Sequence, residues 1–378
     1  MTAATTSMPP EPVAGHDSGH PGDPGARAAA RLPGHSGDTG DPGARAAARL
    51  REPWSLGGVT VPNRVVLAPL AGIGNWFVRL QAKRHGAGMA VSEMVSSHAV
   101  HYGNPRTCSE LLRIHPDERH EGAGGPTSVQ LFGADPEIMR SAATRVAASG
   151  ADLIDLNMGC PVPKVCKTGA GAALLSDPDR AVAVARAARE ASGLPVTVKL
   201  RAGRRPGDTD GVHVAQRLVS EAGVVGIGFH PRSAAVAHRG RPDYELAARL
   251  VSELPVPVIL SGGLADRRAV HEAFEQTGAA AVMLARGCLG NPWLFAQVLD
   301  TRVGEPTREQ VLTELGWVLD RAAEHLGAPR AARYLRKFYP WYLERLGEGR
   351  EVQEAFQRSA DLDRARALVH ALHRPLDP

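Results

Sequence analysis

The sequence predicts an α/β protein: a TIM-type (β/α)8 barrel followed by a small C-terminal helical domain and preceded by a disordered tail. Three observations predict it. Between Trp54 and about Leu299, short apolar runs alternate with helical stretches eight times. Most of these runs are β-branched or continuously apolar, as strands buried on both faces of a parallel sheet must be. Past Gly304 the runs stop and amphipathic helical periodicity takes over.

The tail comes first. Residues 1–52 are rich in Gly, Pro, Ala, Asp and Arg, with almost no large apolar side chains. The block GDPGARAAARL at Gly22–Leu32 recurs at Gly40–Leu50. Two copies without an apolar face cannot build a repeat core, so the segment is expected to stay disordered, with at most short transient helices at the ARAAARL blocks. A basic arm on nucleic acid is the alternative, although Asp23 and Asp41 dilute its charge.

The expected strands are Val65–Ala68, Met89–Met94, Thr127–Leu131, Leu153–Asn157, Val196–Leu200, Gly226–Phe229, Val258–Ser261 and Ala280–Leu284. Helices fit between them. Asp135–Ser149 opens on Asp-Pro and stops at Gly150; Asp177–Ser192 is Ala-rich and stops at Gly193. An open doubly wound sheet would carry GxGxxG after its first strand, and none is present. Thr307–Leu326, Arg330–Leu346 and Val352–Leu372 read as three amphipathic helices. The expected division is a tail over 1–52, a catalytic barrel over 53–303 and a helical domain over 304–378.

Composition excludes several classes. At 43% hydrophobic and 22% charged residues the chain is ordinary for a soluble globular protein. A net charge of +4 permits an anionic partner without demanding one. The four cysteines, Cys108, Cys160, Cys166 and Cys288, lack CxxC spacing. Neither a zinc site nor a disulfide framework is expected, which suits a reducing cytoplasm. No apolar run approaches ~18 residues, so no membrane span is expected, and no signal-peptide core opens the chain.

The run IDLNMGCP at Ile154–Pro161 is the most informative stretch. It reads as a buried strand and a tight turn that holds Cys160, with Lys164 and Lys167 close behind. In a parallel barrel this end of the strand is where chemistry is done. A thiol near cations can donate a proton, attack or ligate; it can also be a small buried hydrophobe. The other strand ends are polar as well. They present Glu93, Gln130, Asn157, Lys199 with Arg201, and His230 with Arg232; the last two run into Ser261-Gly262-Gly263 and Ala285-Arg286-Gly287. Each side chain could be structural alone. Together they read as a mononucleotide site, with exposed backbone N–H groups and an arginine for a phosphate.

The segment Arg330–Arg345 holds Arg330, Arg333, Arg336, Lys337 and Arg345, interleaved with Tyr334, Phe338, Tyr339, Trp341 and Tyr342. It suits phosphate contacts and base stacking. Taken alone, it better suits a helix whose aromatics are core and whose arginines are a solvated face.

These motifs, taken in order, resemble the tRNA-dihydrouridine synthases, flavin enzymes that reduce uridines of tRNA. The matching stretches are LAPLAG (Leu67–Gly72), VSEM (Val91–Met94), VQLFG (Val129–Gly133), IDLNMGCP-x-x-KV (Ile154–Val165), GAGAALL (Gly169–Leu175), VKLRAG (Val198–Gly203), the His-x-Arg at His230, and ARGCLGNPWLF (Ala285–Phe295). RYLRKFYPWYL (Arg333–Leu343) is similar to the family's helical tRNA-binding domain. The resemblance implies FMN in the barrel, NADPH as reductant, tRNA as substrate, and neither a membrane nor a stable protein partner. It implies that Cys160 gives a proton to uracil C5 while reduced flavin gives hydride to C6. Asn157 would position flavin or base, and Lys199 would sit by the flavin N1–C2=O edge. Gln130 and His230 would contact the ring or ribityl chain, and Ala68, Pro69 and Leu70 would back the ring. Ser261, Gly262, Gly263, Ala285 and Arg286 would bind the cofactor, with Gly262, Gly263 and Arg286 on its phosphate. Arg232 would assist there or meet RNA, and Lys164, Lys167, Arg201, Arg204, Arg205, Arg336 and Lys337 would meet RNA. The chain departs from the pattern at Leu70 (for Met), HPRS (for HGRT) and SGGL (for NGDI). A dihydroorotate dehydrogenase would lack the basic-aromatic domain, and a silent RNA-binding protein would not need Cys160, Lys199 and His230.

Overall fold

In the computed structural model, which describes residues 42–119 and 125–373, eight parallel strands close into a barrel. The described chain begins with α1 (Pro42–Leu50) and an antiparallel hairpin of β1 (Trp54–Leu56) and β2 (Val59–Val61). The first barrel strand is β3 (Val65–Leu67), followed by α2 (Trp76–Arg84) and β4 (Met89–Val91). A short β5 (Val95–Ser96) and α3 (Ser97–His101) lead to β6 (Thr127–Phe132), α4 (Pro136–Ala148) and β7 (Leu153–Met158). Next come α5 (Pro163–Cys166), α6 (Pro178–Ser192), β8 (Val196–Arg201), α7 (Asp210–Ala222) and β9 (Gly226–His230). The barrel ends with α8 (Tyr244–Glu253), β10 (Val258–Ser261), α9 (Arg267–Thr277), β11 (Ala281–Leu284) and α10 (Leu294–Leu299). Closure comes from β11 pairing with β3 and β4 pairing with β6.

All eight expected strands are present, with one interrupted. The run Met89–Met94 is not continuous, because the Ser92 hydroxyl takes a ladder position: it accepts the Gln130 N–H at 3.0 Å. Pairing with β6 resumes at Val95. Helix starts and stops follow local chemistry. Asp135, Asp177, Asp243 and Asp266 cap the first turns of α4, α6, α8 and α9. Gly193, Gly223 and Gly278 end α6, α7 and α9 with positive φ. Inside the barrel, Val66, Ala68, Met89, Val91, Leu153, Ile259 and Met283 form a core continuous with Trp54, Leu56 and Val61 of the hairpin. Leu56 lies against Gly226 at the start of β9 and Gly57 against Pro195 just before β8, so the hairpin stoppers the end opposite the strand termini that carry the polar residues.

The expected tail over 1–52 is corrected at its end. Residues 42–50, within the second copy of the repeated block, form α1 and pack on α9 and α10. Ala46, Ala47 and Leu50 are fully buried. Arg49 lies 5.0 Å over the Phe274 ring, and Arg51 donates to Leu299 O at 2.7 Å. An alanine stripe too weak to found a core thus suffices to cover one that exists. The first copy, Gly22–Leu32, lies outside the described residues.

Among the described residues five helices follow instead of three: α11 (Arg308–Leu326), α12 (Ala328–Leu335), α13 (Tyr339–Arg345), α14 (Arg350–Gln357) and α15 (Leu362–His373). The expected helix Arg330–Leu346 breaks at Arg336–Phe338, because Pro340 has no N–H to offer the Arg336 carbonyl. That carbonyl accepts from Gln357 Nε2 at 2.9 Å instead. These helices dock on α2. Gln81 Nε2 donates to Glu314 and to the Tyr342 hydroxyl, and Trp76 Nε1 donates to His325 Nδ1 at 3.0 Å. Sandwiched in this way, α2 buries even Arg79, Gln81 and Lys83. Among the described residues no helix is long and apolar enough to cross a membrane.

Candidate active site

A cavity of about 540 Å³ opens at the carboxyl ends of the barrel strands. All twelve residues expected to meet cofactor line it: Ala68, Pro69, Leu70, Gln130, Asn157, Lys199, His230, Ser261, Gly262, Gly263, Ala285 and Arg286. Cys160, Arg201 and Arg232 join them. The topology explains the convergence, since each residue sits on, or within a few residues beyond, a strand that ends at this face.

One buried carboxyl organises the thiol loop. Asp155 accepts from Thr197 Oγ1 and from Gln130 Nε2, both at 2.6 Å. Gln130 Oε1 accepts from Asn157 Nδ2 at 2.9 Å, and Asn157 Oδ1 accepts the Cys160 N–H at 2.9 Å. Donor follows acceptor along this chain, so both amides have a single consistent orientation. Burial pushes the Asp155 carboxyl above its ordinary range, against those two hydrogen bonds.

The Cys160 loop is pinned elsewhere too. Arg201 Nε donates to Gly159 O at 3.0 Å, and the Cys160 carbonyl accepts from Ala172 N at 3.0 Å and Cys166 Sγ at 3.3 Å. Burial raises the Cys160 thiol above its usual pKa, so it carries its proton at neutral pH.

Lys199 Nζ donates to Ser261 Oγ at 3.0 Å. Desolvation, with Arg201 adding repulsion and Asp155 opposing, lowers its ammonium from 10.5 to about 8. His230 is held neutral by burial and by Lys199, Arg201 and Arg232. Arg232 NH1 lies 3.2 Å from His230 Nε2. A guanidinium only donates, so Nε2 is the acceptor and the ring proton sits on Nδ1.

The anion side is built from backbone and arginine. Gly262 and Gly263 have φ of 96° and 81°. A Cβ on Gly262 would come within 2.5 Å of the His230 ring, and one on Gly263 within 2.4 Å of the Tyr244 hydroxyl. Arg232 is buried, and its Nε finds no partner. A buried, unpaired guanidinium N–H beside a glycine cradle fits an anionic group such as a phosphate.

The expected RNA contacts divide. Lys164 is exposed on α5, beside the thiol loop. Arg201 is not free: it is buried, and NH1 also donates to Ser233 O and Ala237 O, so it braces loops. Arg336 and Lys337 are both exposed; Arg336 NH2 donates to Ser359 O at 3.4 Å and the Lys337 ammonium to Gly72 O at 3.1 Å. Phe338, Tyr339 and Tyr342 are buried core, which removes them as stacking platforms. Glu93 stands outside the cavity and accepts the Gly72 N–H at 2.8 Å. Sequence reasoning missed Asp155, Met94 and His238. Met94 and His238 line the cavity, and the His238 ring lies 5.9 Å from that of His230.

A (β/α)8 barrel whose mouth joins a protonated thiol, a softened lysine and an anion cradle defines a cofactor-using barrel enzyme. Residues 66–375 match the dihydrouridine synthase family model. The chain belongs to the dihydrouridine synthase family, and it is an oxidoreductase. It is 36% identical over 319 residues to tRNA-dihydrouridine synthase B of Pseudomonas aeruginosa, covering 83% of this chain and 94% of that one. It is 31% identical over 327 residues to the Vibrio vulnificus protein of the same name, covering 85% and 98%. Among solved structures it is similar to a 2-naphthoyl-CoA reductase (TM-score 0.54, 12% identity, 68% of this chain and 53% of that one). It is also similar to histamine dehydrogenase from Rhizobium sp. 4-9 (TM-score 0.51, 14% identity, 68% and 48%). The chain thus spans about half of each, and both likenesses concern the barrel fold.

Proposed function

We propose that this chain is a cytoplasmic, FMN-dependent enzyme that reduces uridines of tRNA to 5,6-dihydrouridine with electrons from NADPH. The observation that carries the proposal is a proton-bearing Cys160 at the mouth of a cavity that ends in an anion cradle. The family and the names of its relatives supply the substrate class.

FMN, when bound, supplies the hydride for uracil C6. Gly262, Gly263, Arg232 and Arg286 would hold its phosphate, and Lys199 would face the ring. Cys160 Sγ delivers a proton to C5. The Asp155–Gln130–Asn157 chain keeps that thiol's loop in place. The barrel is the catalytic unit, and the helices after residue 304 are the RNA-binding one. Lys164, Lys167 and Arg336 are exposed cations available to phosphates. The target base must leave its stack to reach the cavity.

The test is the visible spectrum of the purified protein before and after NADPH, then anaerobically with unmodified tRNA. Flavin bands that bleach and then return on adding tRNA support the proposal. Bands that bleach but ignore tRNA point to a small-molecule substrate, and a protein that cannot take up FMN sinks the reading.

Lys199 gives a pH prediction. An anionic ligand favours the ammonium, so binding near or above pH 8 takes up a proton. FMN affinity of the ligand-free protein is therefore expected to weaken as pH rises through about 8. Titration of flavin fluorescence at several pH values checks this; Lys199→Arg should remove the decline over that window.

A further inference from the structure

We propose that Tyr334 and Lys337 are positioning residues that tie the helical domain to the floor of the active-site cavity through the turn Gly72–Asn75. The proposal rests on reading that cavity as the flavin site. Ala68–Ala71 line the cavity, and the next residues carry the chain into α2. Leu70 O accepts the N–H groups of Ile73 at 3.1 Å and Gly74 at 2.7 Å, so floor and turn are one hydrogen-bonded unit.

Three side chains hold this turn from outside. Glu93 Oε2 accepts the Gly72 N–H at 2.8 Å. Lys337 Nζ donates to Gly72 O at 3.1 Å. Asn75 Nδ2 donates to the Tyr334 hydroxyl at 2.7 Å, while Asn75 Oδ1 caps α2 by accepting from Phe77 N and Val78 N. The barrel therefore holds one side of Gly72 and the helical domain holds the other. The Lys337 ammonium also lies 4.7 Å over the Tyr334 ring, which joins the two tethers. The turn has little slack. A Cβ on Gly74 would meet Glu93 N and Leu70 O at 3.0 Å each, and the Gly74 carbonyl accepts the Glu93 N–H at 3.1 Å. The basic-aromatic stretch thus turns Tyr334 and the Lys337 ammonium toward this turn, although Lys337 is exposed like its neighbours Arg333 and Arg336. A load on the helical domain reaches the cavity floor by this route.

The test uses Lys337→Met and Tyr334→Phe in the full chain, with Lys337→Arg as the conservative control. Hydrogen–deuterium exchange across residues 68–80 is read on the ligand-free protein. Flavin reduction by NADPH without RNA, and tRNA retention on filters, are read separately. Both variants are expected to speed exchange at the turn and to slow flavin reduction about 2- to 10-fold, the scale of one lost hydrogen bond. Their tRNA affinity should stay within about twofold, the scale of one exposed charge, and Lys337→Arg should restore both readouts. Unchanged exchange and flavin reduction with lost tRNA affinity would overturn the proposal and make Lys337 a direct RNA contact. If the wild-type protein takes up no FMN, the flavin reading fails instead, and the exchange data still decide the tether.

Discussion

Cys160→Ala is expected to keep FMN and its reduction by NADPH while uridine turnover falls about 10²–10⁴-fold, the usual range for loss of a positioned general acid. The Cys160 backbone carries most of the loop's contacts: its N–H meets Asn157 and its carbonyl meets Ala172 and Cys166, while the sulfur meets the Val162 backbone. Removing the thiol therefore leaves those three backbone contacts in place. Cys166 cannot replace it, because its Sγ is directed at the Cys160 carbonyl. Cys160→Ser keeps a proton on a much weaker acid and should fall between wild type and Cys160→Ala. Single-turnover reoxidation of the reduced flavin by tRNA measures this, and a wild-type rate in Cys160→Ala would remove the thiol from the reaction.

The largest expected effect on stability lies away from the cavity. Glu118→Ala should cost about 3–5 kcal/mol, because it leaves the Arg79 guanidinium buried without its counter-charge. Arg79 Nε and NH2 reach the two Glu118 oxygens at 2.8 and 2.9 Å, and both side chains are almost fully buried. Glu118 Oε2 also accepts the His115 N–H at 2.9 Å. Burial has already lowered neighbouring Lys83 from 10.5 to about 8, with Glu118 opposing the fall. Between those two pH values the unfolded chain holds the Lys83 proton that the folded one has released, so this residue makes wild-type stability rise with pH across that window. Denaturant unfolding at pH 7 checks the substitution; a change under about 1 kcal/mol would show that the site relaxes or admits water.

The strand ends were legible because residues two apart on a buried strand share a face. Asn157 and Lys199 are register partners on neighbouring strands, and both point to the cavity. The same rule places Asp155 on the face of Asn157, a carboxyl inside an apolar strand that should have signalled the buried network. What spacing could not reveal was commitment. Arg201, Lys337 and the aromatics of α12 and α13 have the residue types of an RNA surface. Their partners are carbonyls and apolar core far away in the chain.

The sequence by itself determined the barrel, the placing of Cys160 and the ring of polar strand ends, because periodicity and turn chemistry are local. Tertiary structure alone decided that the second repeat copy becomes a docked helix and that the expected second helix of the C-terminal domain breaks at Pro340. It alone decided which cations brace loops and which stay exposed. Those outcomes depend on which surfaces meet across long separations, and a residue's own neighbours in sequence carry no record of that.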